Sequence, residues 1–191
     1  MEYAVIFLPL LGAIAGYLSR YLGDTASQLF TTVSVCLSAV LSITIFYNGI
    51  IHDIYGNYLI YEWIASGDFQ ANWSINIDPL SSIMLVVVTL ISALVHIYSI
   101  GYMNHDPNKP RFMSYLSLFT FSMLVLVVSD NFLQLFFGWE GVGLSSYLLI
   151  GFWYKKDSAN KAAIKAFIVN RVGDFGFAIG ILLIFIFFGT L

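Results

Sequence analysis

Residues 136–152 read FFGWEGVGLSSYLLIGF: one glutamate, Glu140, with Gly138, Gly141 and Gly143 around it, inside an apolar segment long enough to cross a bilayer. A carboxylate near the middle of a membrane is costly and is rare unless it lines a cavity or a charge pathway. Glu140 is therefore a functional-site candidate whose partner has to be found. The same stretch decides the fold, because a segment this apolar and this long is a membrane helix or nothing.

The whole chain agrees. Of 191 residues, 59% are hydrophobic and only 10% charged, with a mean hydropathy of +0.85, whereas soluble domains carry about 25% charged residues. A water-soluble fold of this length has too little interior to hide so much apolar surface. The single cysteine, Cys36, lies in an apolar run; it excludes an intrachain disulfide framework and a cysteine-based zinc site, and reads as a small buried residue. There is no glycine-rich phosphate loop ending in Lys-Ser/Thr, no cysteine cluster for an iron–sulfur centre and no paired histidines for haem or zinc.

Six apolar runs of spanning length are expected, at about 3–22, 27–48, 79–103, 112–129, 131–153 and 162–188. The first begins too near the N-terminus, without a basic lead-in, to be a cleaved signal peptide. Between the second and third, residues 49–78 hold Tyr58, Tyr61, Trp63, Trp73 and several acids but no lysine or arginine. The runs YLIYEWIA and ANWSINI alternate around Ser66-Gly67-Asp68, which predicts a short extramembrane hairpin or re-entrant loop at the interface, where Trp and Tyr collect. The fold class is thus all-α and polytopic, organised as 1–78 (two helices and the loop) and 79–191 (four helices).

Sidedness follows from the basic residues. Arg20, Lys109, Arg111, Lys155, Lys156 and Lys161 fall at three connections that six spans place on one face, with Lys165 and Arg171 continuing into the sixth helix. The positive-inside rule makes that face cytoplasmic or matrix. The 49–78 loop, the Ser129-Asp130-Asn131 turn and both termini then lie opposite.

At 1.5 Å per residue, Glu140 sits roughly 14 Å deep, and Arg171 and Asp174 roughly 15 and 20 Å deep from the other face. Arg171 and Asp174 are three apart and can pair on one face of one helix. Lys165 lies nearer the basic face, Asp78 at the outer mouth of the third helix, and His96 in that helix's second half. One reading is a string of titratable groups forming a proton relay, since burial and neighbouring charge move pKa values in opposite senses. The other is structural: an intrahelical neutralising pair at Arg171 and Asp174, a hydrogen-bonding Glu140, and His96 as a packing residue. Gly138, Gly141, Ser145 and Ser146 serve both readings, because small residues let helices approach closely.

Three blocks carry a resemblance: NIDPLSSIMLVVVTLISALVHIYSIGYM, SDNFLQLFFGWEGVGLSSYLLIGFWY and KAAIKAFIVNRVGDFGFAIG, with RFMSYLSLF between the first two. Together they closely resemble the antiporter-like subunit L (chain 5) family of NADH-quinone oxidoreductase, respiratory complex I, essentially over the whole chain. The resemblance implies a proton-translocating subunit of an H⁺-translocating NADH:quinone reductase, with no redox chemistry in this chain. FMN, iron–sulfur clusters and quinone would be bound by other subunits. It implies other membrane subunits as partners, especially the adjacent antiporter-like one, with the lipid bilayer around them and no nucleic acid. Glu140, Arg171, Asp174 and Asp78 match the family's charged residues, and Lys165 joins them as a proton-pathway candidate. In the family the glutamate works with a lysine on a broken helix beyond the sixth span, which this chain does not reach. The expectation is therefore an N-terminal fragment, holding half of a device. The alternatives are a subunit of a multisubunit cation/proton antiporter or membrane hydrogenase, and a truncated, non-pumping segment with a structural role. The text tilts toward a bacterial plasma membrane over a mitochondrial inner membrane.

Overall fold

A computed structural model describes residues 1–191 apart from Leu22, Asp68 and Leu191. Among the described residues the order is α1 (Glu2–Leu18), a 3₁₀ turn (Ser19–Tyr21), α2 (Asp24–His52), β1 (Gly56–Ser66), β2 (Phe69–Ile77), α3 (Pro79–Tyr102), α4 (Lys109–Val127), α5 (Phe132–Ile150) and α6 (Asp157–Phe188). Five of the six helices are long and apolar enough to cross a membrane. The remaining one is α5, whose 19 residues include Gln134, Trp139, Glu140, three glycines and two serines. These residues dilute the hydropathy of a helix that is otherwise apolar and carries a single charge, Glu140.

Three helices start at least three residues earlier than the apolar pattern predicts, α2 among them with Asp24, Thr25 and Ala26. Helix α4 takes in Lys109, Pro110 and Arg111, and α6 takes in Asp157 to Lys161. Proline in the first turn costs no hydrogen bond, and Asp157 there complements the helix dipole. Polar residues thus extend α6 to 32 residues, about 48 Å at 1.5 Å per residue.

The hairpin forms as predicted. Gly67 turns the chain with φ +58, and the third expected turn residue, Asp68, lies outside the described residues. The 11 residues of β1 pair antiparallel with the 9 of β2 through two irregularities, between Leu59 and Tyr61 and between Glu62 and Ile64. Each bulge re-aims the strand, and Trp63 comes to pack on Trp73 and on Phe137 of α5, with ring centroids 5.3 and 6.1 Å apart.

Helices α1 to α4 pack around one another, and the surfaces between them are unusually hydroxyl-rich. Thr31, Ser38, Ser42, Thr89, Ser117 and Thr120 are all essentially inaccessible. Most such hydroxyls bond back to a carbonyl three or four residues earlier, as Thr89 does to Leu85 at 2.7 Å and Ser122 to Leu118 at 3.0 Å. Small, self-satisfied hydroxyls let helix backbones approach where there is no water to drive association. Helix α5 lies on α4, and α6 packs on α5.

The two ends of the bundle differ as the charge pattern predicts. At one end Gln134 of α5 takes both backbone groups of Ser74, its carbonyl oxygen accepting from the Ser74 N–H at 3.1 Å and its amide donating to the Ser74 carbonyl at 2.8 Å. The Asn131 side chain donates to the Asn72 carbonyl at 2.7 Å, the Tyr3 hydroxyl to the Leu59 carbonyl at 3.3 Å, and Phe69 packs on Phe185. The hairpin, the 129–131 turn, the start of α1 and the end of α6 therefore share one face. At the other end Lys109 pairs with Asp24 at 3.5 Å and the Trp153 indole donates to Asp106 at 2.9 Å.

Candidate functional site

The site begins with two glycines. A side chain at Gly138 would put its Cβ 2.7 Å from the backbone of Leu126, and one at Gly141 would lie 2.8 Å from the Ser122 hydroxyl. Only glycine lets α5 come this close to α4. With that face of α5 committed, residues 139 and 140 turn toward α6, and both find partners there.

Arg171 donates through Nη1 to Oε1 of Glu140 at 2.5 Å, and the same nitrogen stands 3.9 Å from Oδ2 of Asp174. The Trp139 indole N–H donates to Oδ1 of Asp174 at 2.8 Å. Arg171 also lies over the Phe167 ring, 4.8 Å from its centroid. Asp174 is the most enclosed of the three ionisable side chains at 8% exposed, against 23% for Glu140 and 49% for Arg171. Two adjacent residues of α5 thus grip two residues one turn apart on α6. Two carboxylates share one guanidinium, leaving a net charge with room for one proton.

This arrangement modifies the expected pairing. Arg171 and Asp174 do approach within their helix, but the shorter contact of Arg171 crosses to Glu140, because α5 delivers a carboxylate to the free side of the guanidinium. Glu140 has a basic partner within this chain, on the neighbouring helix. Trp139 was not among the sequence candidates. Its signal was available: an indole N–H within an apolar span has no water to bond and needs an acceptor, and Asp174 lies at similar depth along the apolar runs.

The other candidates sit elsewhere. Asp78 caps α3, its carboxylate accepting from the Ser81 N–H at 2.6 Å while the Ser81 hydroxyl accepts from the Asp78 N–H at 2.7 Å. Lys165 is exposed on α6 and, among the described residues, makes no ion pair. His96 is fully buried between α3 and its neighbours; Nδ1 lies 2.8 Å from the Ser92 carbonyl, and Nε2 has no partner. The Ser92 hydroxyl in turn meets the Thr120 hydroxyl of α4. Among the described residues no three His, Cys, Asp or Glu side chains converge as metal ligands would.

Comparison with known proteins gives the family of the chain. Residues 63–113 match the family described as NADH-Ubiquinone oxidoreductase (complex I), chain 5 N-terminus, and residues 129–191, which contain the Glu140–Arg171–Asp174 cluster, match NADH:quinone oxidoreductase/Mrp antiporter, TM. These matches make the chain an antiporter-like membrane subunit. More narrowly, the chain belongs to the family of NADH:quinone oxidoreductase chain 5, also called subunit L. It is 54% identical to NADH-ubiquinone oxidoreductase chain 5 of Arabidopsis thaliana over all 191 residues, and 52% identical over 187 residues to NADH-quinone oxidoreductase subunit L of Rickettsia conorii. The chain spans 29% and 28% of the lengths of those relatives. The structure superposes on a chain of the membrane-bound sulfane sulfur reductase, an archaeal respiratory membrane complex, with a TM-score of 0.79 at 18% identity. That match covers 97% of this chain and 37% of the other, and it is a likeness of fold. The protein is an integral membrane protein.

Proposed function

We propose that the chain is proton-translocating machinery of a complex I-type NADH:quinone oxidoreductase, its six helices all spanning and the hairpin lying outside the bilayer. NADH oxidation and quinone reduction occur in other subunits, and residues 79–191 begin the proton-conducting part. The observation that carries this reading is the Glu140–Arg171 pair bridging α5 and α6, with Asp174 and Trp139 closing the cluster. A single guanidinium within reach of two carboxylates has two alternative partners, Glu140 at 2.5 Å and Asp174 at 3.9 Å. When Glu140 is ionised it holds Arg171; when Glu140 takes a proton its hold weakens and Arg171 leans onto Asp174 of its own helix. Loading one proton thereby shifts a charge along α6, which is how a relay passes its signal on. The cost of an unpaired charge in a low-dielectric setting keeps the guanidinium on one carboxylate or the other. Lys165 and Asp78 are assigned to the approaches of this path from the two faces.

The test is Glu140→Gln in the full-length subunit within its assembled complex. NADH-driven proton pumping is expected to fall severalfold or more, more than the rate of NADH:quinone reduction. Unchanged pumping together with an unchanged reductase rate would overturn the relay. Sodium or potassium exchange by vesicles without NADH would instead support a cation/proton antiporter.

A further inference from the structure

At the opposite end of α5 from the hairpin, three helices leave a pocket of about 350 Å³ between the start of α4, the end of α5 and the start of α6. Arg111 forms one wall. Its guanidinium is clamped between the rings of Phe152 and Tyr154, 4.8 and 5.1 Å from their centroids, and Nη2 donates to the Phe152 carbonyl at 2.9 Å. Nε is shut in without a partner. No carboxylate forms an ion pair with Arg111 among the described residues. Asp106, whose carboxyl feels the Arg111 charge, is engaged by the Asn108 N–H at 2.8 Å and the Trp153 indole at 2.9 Å. Burial works against its charge, but those hydrogen bonds and the Arg111 charge outweigh it and hold its carboxyl below the usual value. Neither hydrogen bond is made to Arg111, which is thus a positioned, half-enclosed cation whose charge no ion pair neutralises.

The remaining lining is amphipathic. Tyr115 and Tyr147 contribute hydroxyls that make no hydrogen bond within the described protein, while Leu148 and Ile164 make the apolar part. Lys155, Lys156 and Lys161 lie on the adjoining connection and first turn of α6. A half-enclosed guanidinium held by aromatic stacking is suited to a phosphate, since its planar fork matches phosphate oxygens and it loses little freedom on binding. The pocket also lies where the candidate spans α4 and α6 begin, the place lipid headgroups occupy along a spanning helix, beside a basic connection of the kind that attracts anionic lipid.

We infer that this pocket binds the phosphate of an anionic phospholipid, with Arg111 as the anchoring cation, Tyr115 and Tyr147 as donors to phosphate oxygens, and Leu148 and Ile164 against the glycerol and first acyl carbons. The site is separate from the Glu140 cluster and does not depend on how that cluster works. The assembled complex containing the full-length subunit, delipidated in detergent, is titrated with short-chain phosphatidylglycerol, short-chain phosphatidylcholine and inorganic phosphate in parallel. Bound lipid is counted by native mass spectrometry, and hydrogen exchange reports protection of the amides of residues 111–115. Phosphatidylglycerol is expected to protect these amides more tightly than phosphatidylcholine, with Arg111→Gln weakening it at least tenfold and the Tyr115→Phe/Tyr147→Phe double variant severalfold. Equal affinity for the two lipids, or unaltered phosphatidylglycerol affinity in the variants, overturns the site. Inorganic phosphate protecting as tightly as phosphatidylglycerol overturns the lipid assignment. If Arg111→Gln fails to assemble, the tyrosine variant decides, and affinity unchanged by it counts against the proposal.

Discussion

Trp139 shows what a single side chain adds to a charged cluster. Its indole N–H is a donor to Asp174, the most enclosed of the ionisable groups in the site. A hydrogen bond to a charged acceptor contributes about 1.5–3 kcal/mol. Trp139→Phe keeps the ring but removes the N–H, so stability of the detergent-solubilised subunit is expected to fall by about 1.5–3 kcal/mol. Denaturant unfolding measures this directly, and a change within about 0.5 kcal/mol, the range of an ordinary surface substitution, would mean that the indole bond is dispensable. At the same scale, Glu140 and Arg171 were legible as residues from their depth alone. Their contact was not, because two helices of correct depth can present any of several faces to one another. The choice of face was made by Gly138 and Gly141, whose missing side chains commit α5 to α4 and so turn Glu140 toward α6.

Among the elements, the β1–β2 hairpin is the one whose attachment can be isolated. It docks through Gln134, which satisfies both backbone groups of Ser74, and through the Trp63, Trp73 and Phe137 rings. Gln134 is 1% exposed and Ser74 2%, so Gln134→Ala leaves an N–H and a C=O without partners in a dry place. Each orphaned group costs about 1–3 kcal/mol. The hairpin is expected to loosen, seen as faster hydrogen exchange at residues 69–77, while α2 and α3 keep their protection. Equal protection in wild type and variant would show that the aromatic cluster alone holds the hairpin. The strands themselves were readable from alternation and turn residues. Their bulges were not, since an inserted residue that restores a face is invisible until the partner strand sets the register.

Over the whole molecule, the chemical difference between the two ends is the property with the widest consequence. The hairpin, the Asp130 turn and the N-terminus gather at one end, and Arg20, Lys109, Arg111 and the 155–161 connection at the other. With the basic end facing the cytoplasm or matrix, a cysteine replacing Glu62 is expected to react with a membrane-impermeant maleimide only from the outer side. One replacing Lys155 should react only from the inner side, both in a background where Cys36 and any other cysteines are removed. Labelling of both positions from one side would contradict a six-span arrangement, and exchange of the two sides would reverse the orientation.

Composition and pattern alone determined that this chain lives in a membrane, that it is helical with a hairpin, and which charged residues fall within its apolar runs. These follow from one-dimensional quantities, namely the length of apolar runs, alternation, and the positions of charges along a helix of known rise. Tertiary structure alone decided who meets whom. It extended α4 and α6 through polar residues that the apolar pattern excluded, because helix ends are set by capping and dipole as well as by hydropathy. It set Asp78 as a helix cap, left Lys165 without an ion pair, and brought Trp139 into the site. It also supplied Glu140 with Arg171 as a partner, since the rotation of one helix about its axis is fixed by where small residues permit contact and not by any residue's depth.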